Sequence, residues 1–302
     1  MKKVLSKTTR LNRIYAFKNT VLIVMCLVFM CSCSNDDDRA PSVKTKEISQ
    51  EIKDLIHFRG DEKAETVMVL IPGGPSTEFA TDFVDDLAPI FSPEGILTVT
   101  VHQAQTLNPD IVAGTDITLT QAASFNTQSI EMLSNVITYF KDQGRTVYVL
   151  GYSFGAFVTQ ELIANKGIDI ANKYLIISGR LDINDVIWQA AAEGKNGYFE
   201  NGVTPIVELN PHPNVIERNY NRISAELSMN RYTQLFNTIE DLSSITYIYG
   251  DSDEAVGSLT TNEVQFLESK NTNIINGPGD HTTTFLNLIP QGLEVAFGIV
   301  LQ

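Results

Sequence analysis

Apolar runs of strand length alternate with helical patterns along most of the chain. Residues 66–71, TVMVLI, are apolar almost without interruption, which is typical of a strand buried on both faces of a sheet. Similar runs recur at 95–101, 146–151, 173–178, 245–250 and 272–276. Helical periodicity lies between or after them, at about 125–141, from about 155 onward, and at about 283–300. This alternation predicts an α/β fold, with a mostly parallel central sheet and helices on both of its faces.

Two segments depart from the alternation. Residues 179–244 show helical patterns and no clear strand, and they separate two of the strand runs. We predict that they form a helical cap inserted over the sheet. Residues 47–58 have an ambiguous pattern, which predicts one or two leading strands before the first buried one.

The N-terminus has the order of a secretory signal. The first 33 residues carry six Lys or Arg and no acid, and the apolar run at 21–30 is shorter than the roughly 20 residues that span a bilayer. Met30-Cys-Ser-Cys33 resembles the lipobox of bacterial lipoproteins, which implies acylation of Cys33. The acidic run at 34–38 resembles the surface-export signal of some outer-membrane lipoproteins. We therefore expect a signal peptide at 1–32, an acidic tether at 33–46 and a folded domain at 47–302, held at the outer membrane by lipid.

Charge and cysteine content exclude several classes of function. The chain has a net charge of −14, and the residues after the leader carry 16 basic and 36 acidic groups, a net of −20. Such a body repels phosphate backbones, so we expect no nucleic-acid partner. The three cysteines, Cys26, Cys31 and Cys33, all lie in the leader or at its end. Disulfides, thiol catalysis and cysteine-bound metals are thereby excluded from the body.

The sequence Gly151-Tyr-Ser-Phe-Gly155 fits the G-x-S-x-G pattern of a catalytic serine, Ser153. Alone, this match is weak, because a glycine-rich turn holding a structural serine gives the same letters. Here an apolar strand leads into the pattern and a helical pattern follows it. A strand-to-helix turn of this kind lifts the serine hydroxyl above the sheet edge and requires very small residues two before and two after it.

Strand, turn and helix together resemble the α/β-hydrolase family, over about residues 64–302. The family places its catalytic histidine after the last strand, which among four histidines implies His281 as the base. Its catalytic acid follows the penultimate strand, which implies Asp253, with Asp251 as the alternative and Asp280 as a weaker third candidate. The order serine, aspartate, histidine is that of the family.

The residues Ile71-Pro-Gly-Gly-Pro-Ser76 resemble the His-Gly-Gly-Pro turn of prolyl aminopeptidase-like hydrolases, with Pro72 in place of the histidine. The resemblance implies that the backbone N–H groups of Gly74 and Phe154 form an oxyanion hole, and that acyl transfer uses no cofactor and no metal. The Asp-x-Arg-Gly-x-Gly motif of those peptidases is absent at 101–107. Its absence argues against peptidase activity.

Three functions follow from these patterns. The first is a serine hydrolase that cleaves a small-molecule ester or amide at the cell envelope. The others are a catalytically silent ligand-binding lipoprotein and a prolyl aminopeptidase-like serine peptidase. Aromatic residues of the cap either line an acyl pocket or pack the cap onto the domain: Trp188, Tyr198, Phe199, Tyr220, Tyr232 and Phe236.

Overall fold

The computed structural model describes residues 47–301. The expected signal peptide, Cys33 and the tether up to residue 46 lie outside the described residues. Within residues 47–301, no helix is long and apolar enough to cross a bilayer.

Seven strands form the central sheet, in the order β1-β3-β2-β4-β5-β8-β9. Every neighbouring pair is parallel except β1 and β3, which run antiparallel at one edge. The sheet strands are β1 (Ile56–Arg59), β2 (Thr66–Ile71), β3 (Ile96–Val101), β4 (Thr146–Tyr152), β5 (Lys173–Ile177), β8 (Ile245–Gly250) and β9 (Asn273–Gly277). The predicted mostly parallel sheet is confirmed.

Helices cover both faces of this sheet. The α-helices of the described residues are α1 (Gln50–Lys53), α2 (Thr81–Phe91), α3 (Ala104–Leu107), α4 (Asp110–Ala113), α5 (Leu119–Asp142), α6 (Phe154–Lys166), α7 (Asp185–Ala192), α8 (Val215–Ser228), α9 (Tyr232–Leu235), α10 (Thr261–Ser269) and α11 (His281–Phe297). Alternate residues of β2 separate the two layers. Val67 and Val69 pack with α5 and α6, whereas Met68 and Leu70 pack with α2 and α11. Because both faces are covered, β2 reads as a continuous apolar run.

The segment between β5 and β8 contains more than helices. It contains helices α7, α8 and α9, and between α7 and α8 it forms a hairpin of β6 (Gly197–Glu200) and β7 (Thr204–Val207), which the sequence pattern did not predict. Each strand of this hairpin has four residues, and β7 contains Pro205, which lacks the N–H that strand pairing uses. Because the two strands are short and one contains a proline, the alternation of apolar and polar residues does not indicate the hairpin.

Two other elements refine the sequence prediction. Residues 47–58 form the short helix α1 and the single edge strand β1 rather than two strands. Helix α5 begins at Leu119, earlier than predicted, because Thr118 and Gln121 form a reciprocal capping box. The pattern T-x-x-Q at this point is a recognised start signal for a helix.

Candidate active site

Ser153 occupies the turn between β4 and α6, at the carboxyl end of the sheet. Its backbone has φ 56° and ψ −118°, a conformation that L-residues rarely adopt and that costs of order 1–3 kcal/mol. The Ser153 N–H donates to the carbonyl of Ile177 at 3.0 Å, which fixes the turn against β5. The fold therefore holds this serine in a strained position rather than allowing it an ordinary one.

The two glycines of the pattern are required by contact. A Cβ atom on Gly151 would lie 2.2 Å from the Thr159 hydroxyl oxygen and 2.4 Å from the Gly155 carbonyl oxygen. A Cβ atom on Gly155 would lie 2.0 Å from the Ile71 carbonyl oxygen. Neither position has room for a side chain, so the sharp turn and the close approach of β2 depend on both glycines.

The structure brings His281 to Ser153. The His281 Nε2 atom lies 2.8 Å from the Ser153 hydroxyl oxygen, within hydrogen-bond distance. His281 is the first residue of α11, and its backbone N–H donates to the Glu254 carboxylate at 3.0 Å. Its imidazole is mostly covered, with 12% of the side chain exposed. This hydrogen bond can therefore pass a proton from the serine to the imidazole.

Asp253 lies on the other side of the imidazole. Its two carboxylate oxygens are 2.8 and 2.9 Å from His281 Nδ1, and only 1% of the residue is exposed. The backbone N–H groups of Ala255 and Val256 also donate to this carboxylate, each at 3.0 Å. A buried carboxylate needs such partners, and here they orient it toward the histidine.

The two other candidate acids are placed elsewhere. Asp251 is exposed, and its carboxylate accepts a hydrogen bond from the Asn276 amide. Asp280 caps α11 by accepting from the Thr283 N–H at 2.7 Å, and this hydrogen bond lowers the pKa of the Asp280 carboxyl. Of the three aspartates, Asp253 is the one that the structure places against His281 Nδ1.

The remaining histidines within residues 47–301 lie away from the serine. His57 Nε2 contacts the Asp85 carboxylate at 2.7 Å, and His212 Nδ1 accepts from the Asn214 N–H at 3.3 Å. His102 stacks on Phe79 with ring centroids 3.6 Å apart, and burial lowers the pKa of this histidine. No group of three or more His, Cys, Asp or Glu in these residues is arranged to hold a metal.

The loop that carries Asp253, residues 251–260, is called the acid loop below. A buried ion pair that contacts it was not predicted from the sequence. The Arg180 guanidinium donates to the Glu263 carboxylate at 3.0 Å and to the Val256 carbonyl at 3.4 Å. Glu263 also accepts from the N–H groups of Leu181 and Asp182. This network connects the loop after β5 to the loop that carries Asp253. No local motif marks it, because the partners are far apart in the sequence.

The cap hairpin is attached to the same acid loop. The Phe199 N–H donates to the Glu254 carbonyl at 2.7 Å, and the Ser258 N–H donates to the Gly202 carbonyl at 2.8 Å. The Phe199 ring is buried and lies 5.6 Å from the Arg180 guanidinium carbon. One end of the cap therefore rests on the loop that presents Asp253.

The turn after β2 places Gly74 beside the serine. Gly74 has φ +148°, a region that favours glycine, and a Cβ atom on the preceding Gly73 would lie 3.3 Å from the Ser153 Cβ. Phe154 is the first residue of α6, so its N–H has no acceptor within the helix. Gly74, Phe154 and Ser153 line one cleft. Both predicted oxyanion donors therefore belong to residues that lie beside the serine.

Tyr220 of the cap helix α8 contacts this turn. Its hydroxyl oxygen accepts from the Thr77 N–H at 2.7 Å and lies 3.0 Å from the Thr77 hydroxyl, to which it donates. Thr77 follows Gly74 by three residues. The second end of the cap is therefore attached to the turn that carries the candidate oxyanion donor.

Replacing Tyr220 by phenylalanine is expected to lower kcat about tenfold with little change in KM, less than the roughly 10²–10³-fold cost of removing an oxyanion donor outright. The turn loses its two contacts with α8, so Gly74 is held less accurately while the cleft is kept. Steady-state ester hydrolysis measures this. Tyr198→Phe is the matched control, because Tyr198 is an exposed cap tyrosine. Equal effects of the two substitutions would refute the role of Tyr220.

The cleft beside Ser153 has a volume of about 190 Å³. Part of its lining is apolar and aromatic, and the part that α8 contributes is polar. Trp188 lines the cleft, whereas Tyr232 and Phe236 are buried within the cap. Of these three aromatic residues, Trp188 alone is placed to touch a substrate.

Comparison with solved structures identifies the fold. MGS-M2, an α/β hydrolase enzyme from a Medee basin deep-sea metagenome library, is 13% identical, with 82% of this chain and 95% of MGS-M2 covered and a TM-score of 0.51. Rv0554 from Mycobacterium tuberculosis is 11% identical, with 82% and 94% covered and a TM-score of 0.52. DcsB, solved in complex with its substrate analogue, is 14% identical, with 81% and 94% covered and a TM-score of 0.51. No protein-family model matches the sequence, and no curated protein matches it.

These likenesses and the strand order show that the chain has the α/β-hydrolase fold, as the sequence predicted. At identities of 11–14%, they establish the fold and not the reaction. The reaction depends on the side chains at the carboxyl end of the sheet.

Proposed function

We propose that this protein is a serine hydrolase that cleaves an ester or amide bond through an acyl-enzyme intermediate. The observation that carries the proposal is the continuous contact from the Ser153 hydroxyl to His281 at 2.8 Å and from His281 to Asp253 at 2.8 Å. A serine hydroxyl is a weak nucleophile, and an oriented base within this distance is the usual means of activating it.

In the proposed reaction, Ser153 Oγ attacks the substrate carbonyl carbon while His281 Nε2 takes the hydroxyl proton. The backbone N–H groups of Gly74 and Phe154 stabilise the negative oxygen of the tetrahedral intermediate. The imidazolium then protonates the leaving group, and the acyl group stays on the serine oxygen. Water attacks this ester with His281 again as the base, and collapse of the second intermediate releases the acid and the serine.

Asp253 acts through the histidine in this scheme. By accepting from Nδ1–H, the carboxylate selects the tautomer in which Nε2 has a free lone pair toward Ser153. It also stabilises the imidazolium that forms in each transition state. The two N–H donors from Ala255 and Val256 keep the carboxylate in place during both steps.

A fluorophosphonate probe tests the proposal, because it phosphonylates serines that a neighbouring base has activated. We expect one adduct on the folded protein, on the peptide that contains Ser153, and none after heat denaturation or in Ser153→Ala. Tandem mass spectrometry locates the adduct. If the folded wild-type protein acquired no adduct on Ser153, the hydrolase proposal would fail, and the silent ligand-binding protein would take its place.

We further propose that the enzyme acts at the cell envelope, attached by lipid on Cys33. The support is the sequence of the leader, since a lipoprotein signal followed by acylation supplies several chains, enough for stable anchoring. Expressed with its leader in a bacterium, the chain is expected to incorporate radiolabelled palmitate and to sediment with membranes. Cys33→Ser should prevent both, and Cys31→Ser should prevent neither. Full labelling of Cys33→Ser would exclude this anchor.

A further inference from the structure

The cleft beside Ser153 lies on the acyl side of the candidate site. Its lining includes Ser153 and both candidate oxyanion donors, Gly74 and Phe154, but not His281. The leaving group has to lie next to His281 Nε2, because this atom delivers its proton. The cleft is therefore the place of the acyl group. This inference rests on the proposed function.

The size of the cleft limits the acyl group. Its volume of about 190 Å³ is somewhat larger than the roughly 150 Å³ of an apolar cavity that takes up benzene. A ring, or a chain of about six carbons, fills such a space. The wall formed by α7 and its surroundings suits the hydrocarbon part of that group, because it consists of the large apolar side chains of Phe157, Ile183, Ile187, Trp188 and Val256.

The part of the lining that α8 contributes has polar groups without protein partners. Ser224 and Ser228 stand one turn apart on the same face of α8, and both line the cleft. Ser228 is 7% exposed. Within residues 47–301, no hydrogen bond joins either hydroxyl to another protein group, whereas the Ser129 hydroxyl on α5 donates to the Phe125 carbonyl at 2.9 Å. Water reaches these hydroxyls in the open cleft, but an acyl group that fills the cleft removes that water, so an acyl group that supplies a hydrogen-bond partner is favoured.

The other polar side chains that line the cleft already have partners. The Asn221 amide donates to the Lys195 carbonyl at 3.1 Å and to the Asn196 side chain at 3.0 Å. The Lys195 ammonium lies 2.5 Å from the Glu193 carboxylate, which balances its charge. Among the polar side chains that line the cleft, Ser224 and Ser228 are therefore the two that make no hydrogen bond or ion pair within the described residues.

We propose that the acyl pocket selects acyl groups of about ring size that carry a hydroxyl group remote from the scissile carbonyl. Ser228, assisted by Ser224, binds this hydroxyl, while the apolar wall covers the hydrocarbon. An acyl group without the hydroxyl leaves Ser228 unpartnered and reacts more slowly.

The test uses the purified protein and matched 4-methylumbelliferyl esters, hexanoate against 6-hydroxyhexanoate and benzoate against 4-hydroxybenzoate. The leaving group is constant, so the ratio of kcat/KM within a pair reports on acyl recognition alone. In at least one pair we expect the wild type to favour the hydroxylated ester about fivefold or more, and Ser228→Ala to lower this ratio about fivefold to tenfold. Alanine is a strong helix former, so α8 should persist. Ser134→Ala, a helical serine that is 8% exposed and outside the cleft, is the control.

The outcomes separate this inference from the proposed function. If no ester of either pair is hydrolysed and Ser153 is not labelled, the hydrolase proposal has failed. If the esters are hydrolysed but the ratios are near one and Ser228→Ala leaves them unchanged, the pocket inference alone is wrong. A preference for the monoadipate ester that Lys195→Ala removes would also overturn it, because it would show selection for an anionic acyl group.

Discussion

Replacing His281 by alanine is expected to lower kcat/KM for any hydrolysed ester about 10⁴–10⁶-fold. Among the described residues, no other side chain is hydrogen-bonded to the Ser153 hydroxyl, so without the imidazole nothing takes its proton during attack or protonates the leaving group. The serine, the cleft and the two backbone donors remain. The residual rate above that of uncatalysed hydrolysis in water is therefore expected to come from them. Added imidazole is expected to restore part of the activity by occupying the vacated space.

The measurement is steady-state hydrolysis by purified variants whose folding has been checked by circular dichroism. His57→Ala is the matched control, because His57 pairs with Asp85 at the edge of the sheet and lies outside the cleft. It should retain activity within about twofold, as expected for a substitution remote from the reacting groups. Retention of more than about 1% of wild-type activity by His281→Ala would show that another group is the base.

Exchanging Asp253 for asparagine is expected to lower kcat about 10⁴-fold, whereas Asp251→Asn should change it no more than a few-fold. Both substitutions keep the shape of the side chain and remove its charge. At position 253 the charge stabilises the imidazolium, and an amide NH₂ facing Nδ1 favours the wrong tautomer. At position 251 the carboxylate contacts the Asn276 amide, not the imidazole.

The pair of variants is diagnostic because the two aspartates share one turn. Loss of local stability would affect both variants, and thermal unfolding followed by circular dichroism detects it separately from catalysis. Fluorophosphonate labelling gives a second readout, since slower labelling of Asp253→Asn than of Asp251→Asn is expected. The reverse order, with Asp251→Asn inactive and Asp253→Asn active, would assign the acid to Asp251.

Much of the fold could be predicted from the sequence, because a strand covered on both faces has to be apolar throughout. β2, with Val67 to Ile71 buried, is the clearest example. Strand order is different in kind, since it depends on pairing between distant segments. Nothing local in Ile56–Arg59 indicates that this strand lies antiparallel to β3 at the edge. Residues 197–207 could not be assigned either, because their strands are too short for periodicity to show.

The candidate site also combines features set by local sequence with contacts between distant segments. The residues around Ser153 could be predicted because the steric demands of the turn fall on its own neighbours, Gly151 and Gly155. His281 and Asp253 followed only from their order relative to the strands. Tyr220 and Thr77 are 143 residues apart, and their contact depends on where the cap comes to rest. Neither periodicity nor spacing contains that information.

The attachment of the cap at two ends has a consequence for how substrate reaches the serine. The hairpin is hydrogen-bonded to the acid loop through Phe199 and Gly202, and α8 is hydrogen-bonded to the turn after Gly74 through Tyr220. A cap that swung away as one rigid lid would break contacts at both ends and would release the groups that catalysis needs. Access is therefore expected through local movement between these two anchors, around Trp188, while the catalytic loops keep their geometry. The cap therefore shares its attachment points with the two loops that carry the candidate catalytic groups.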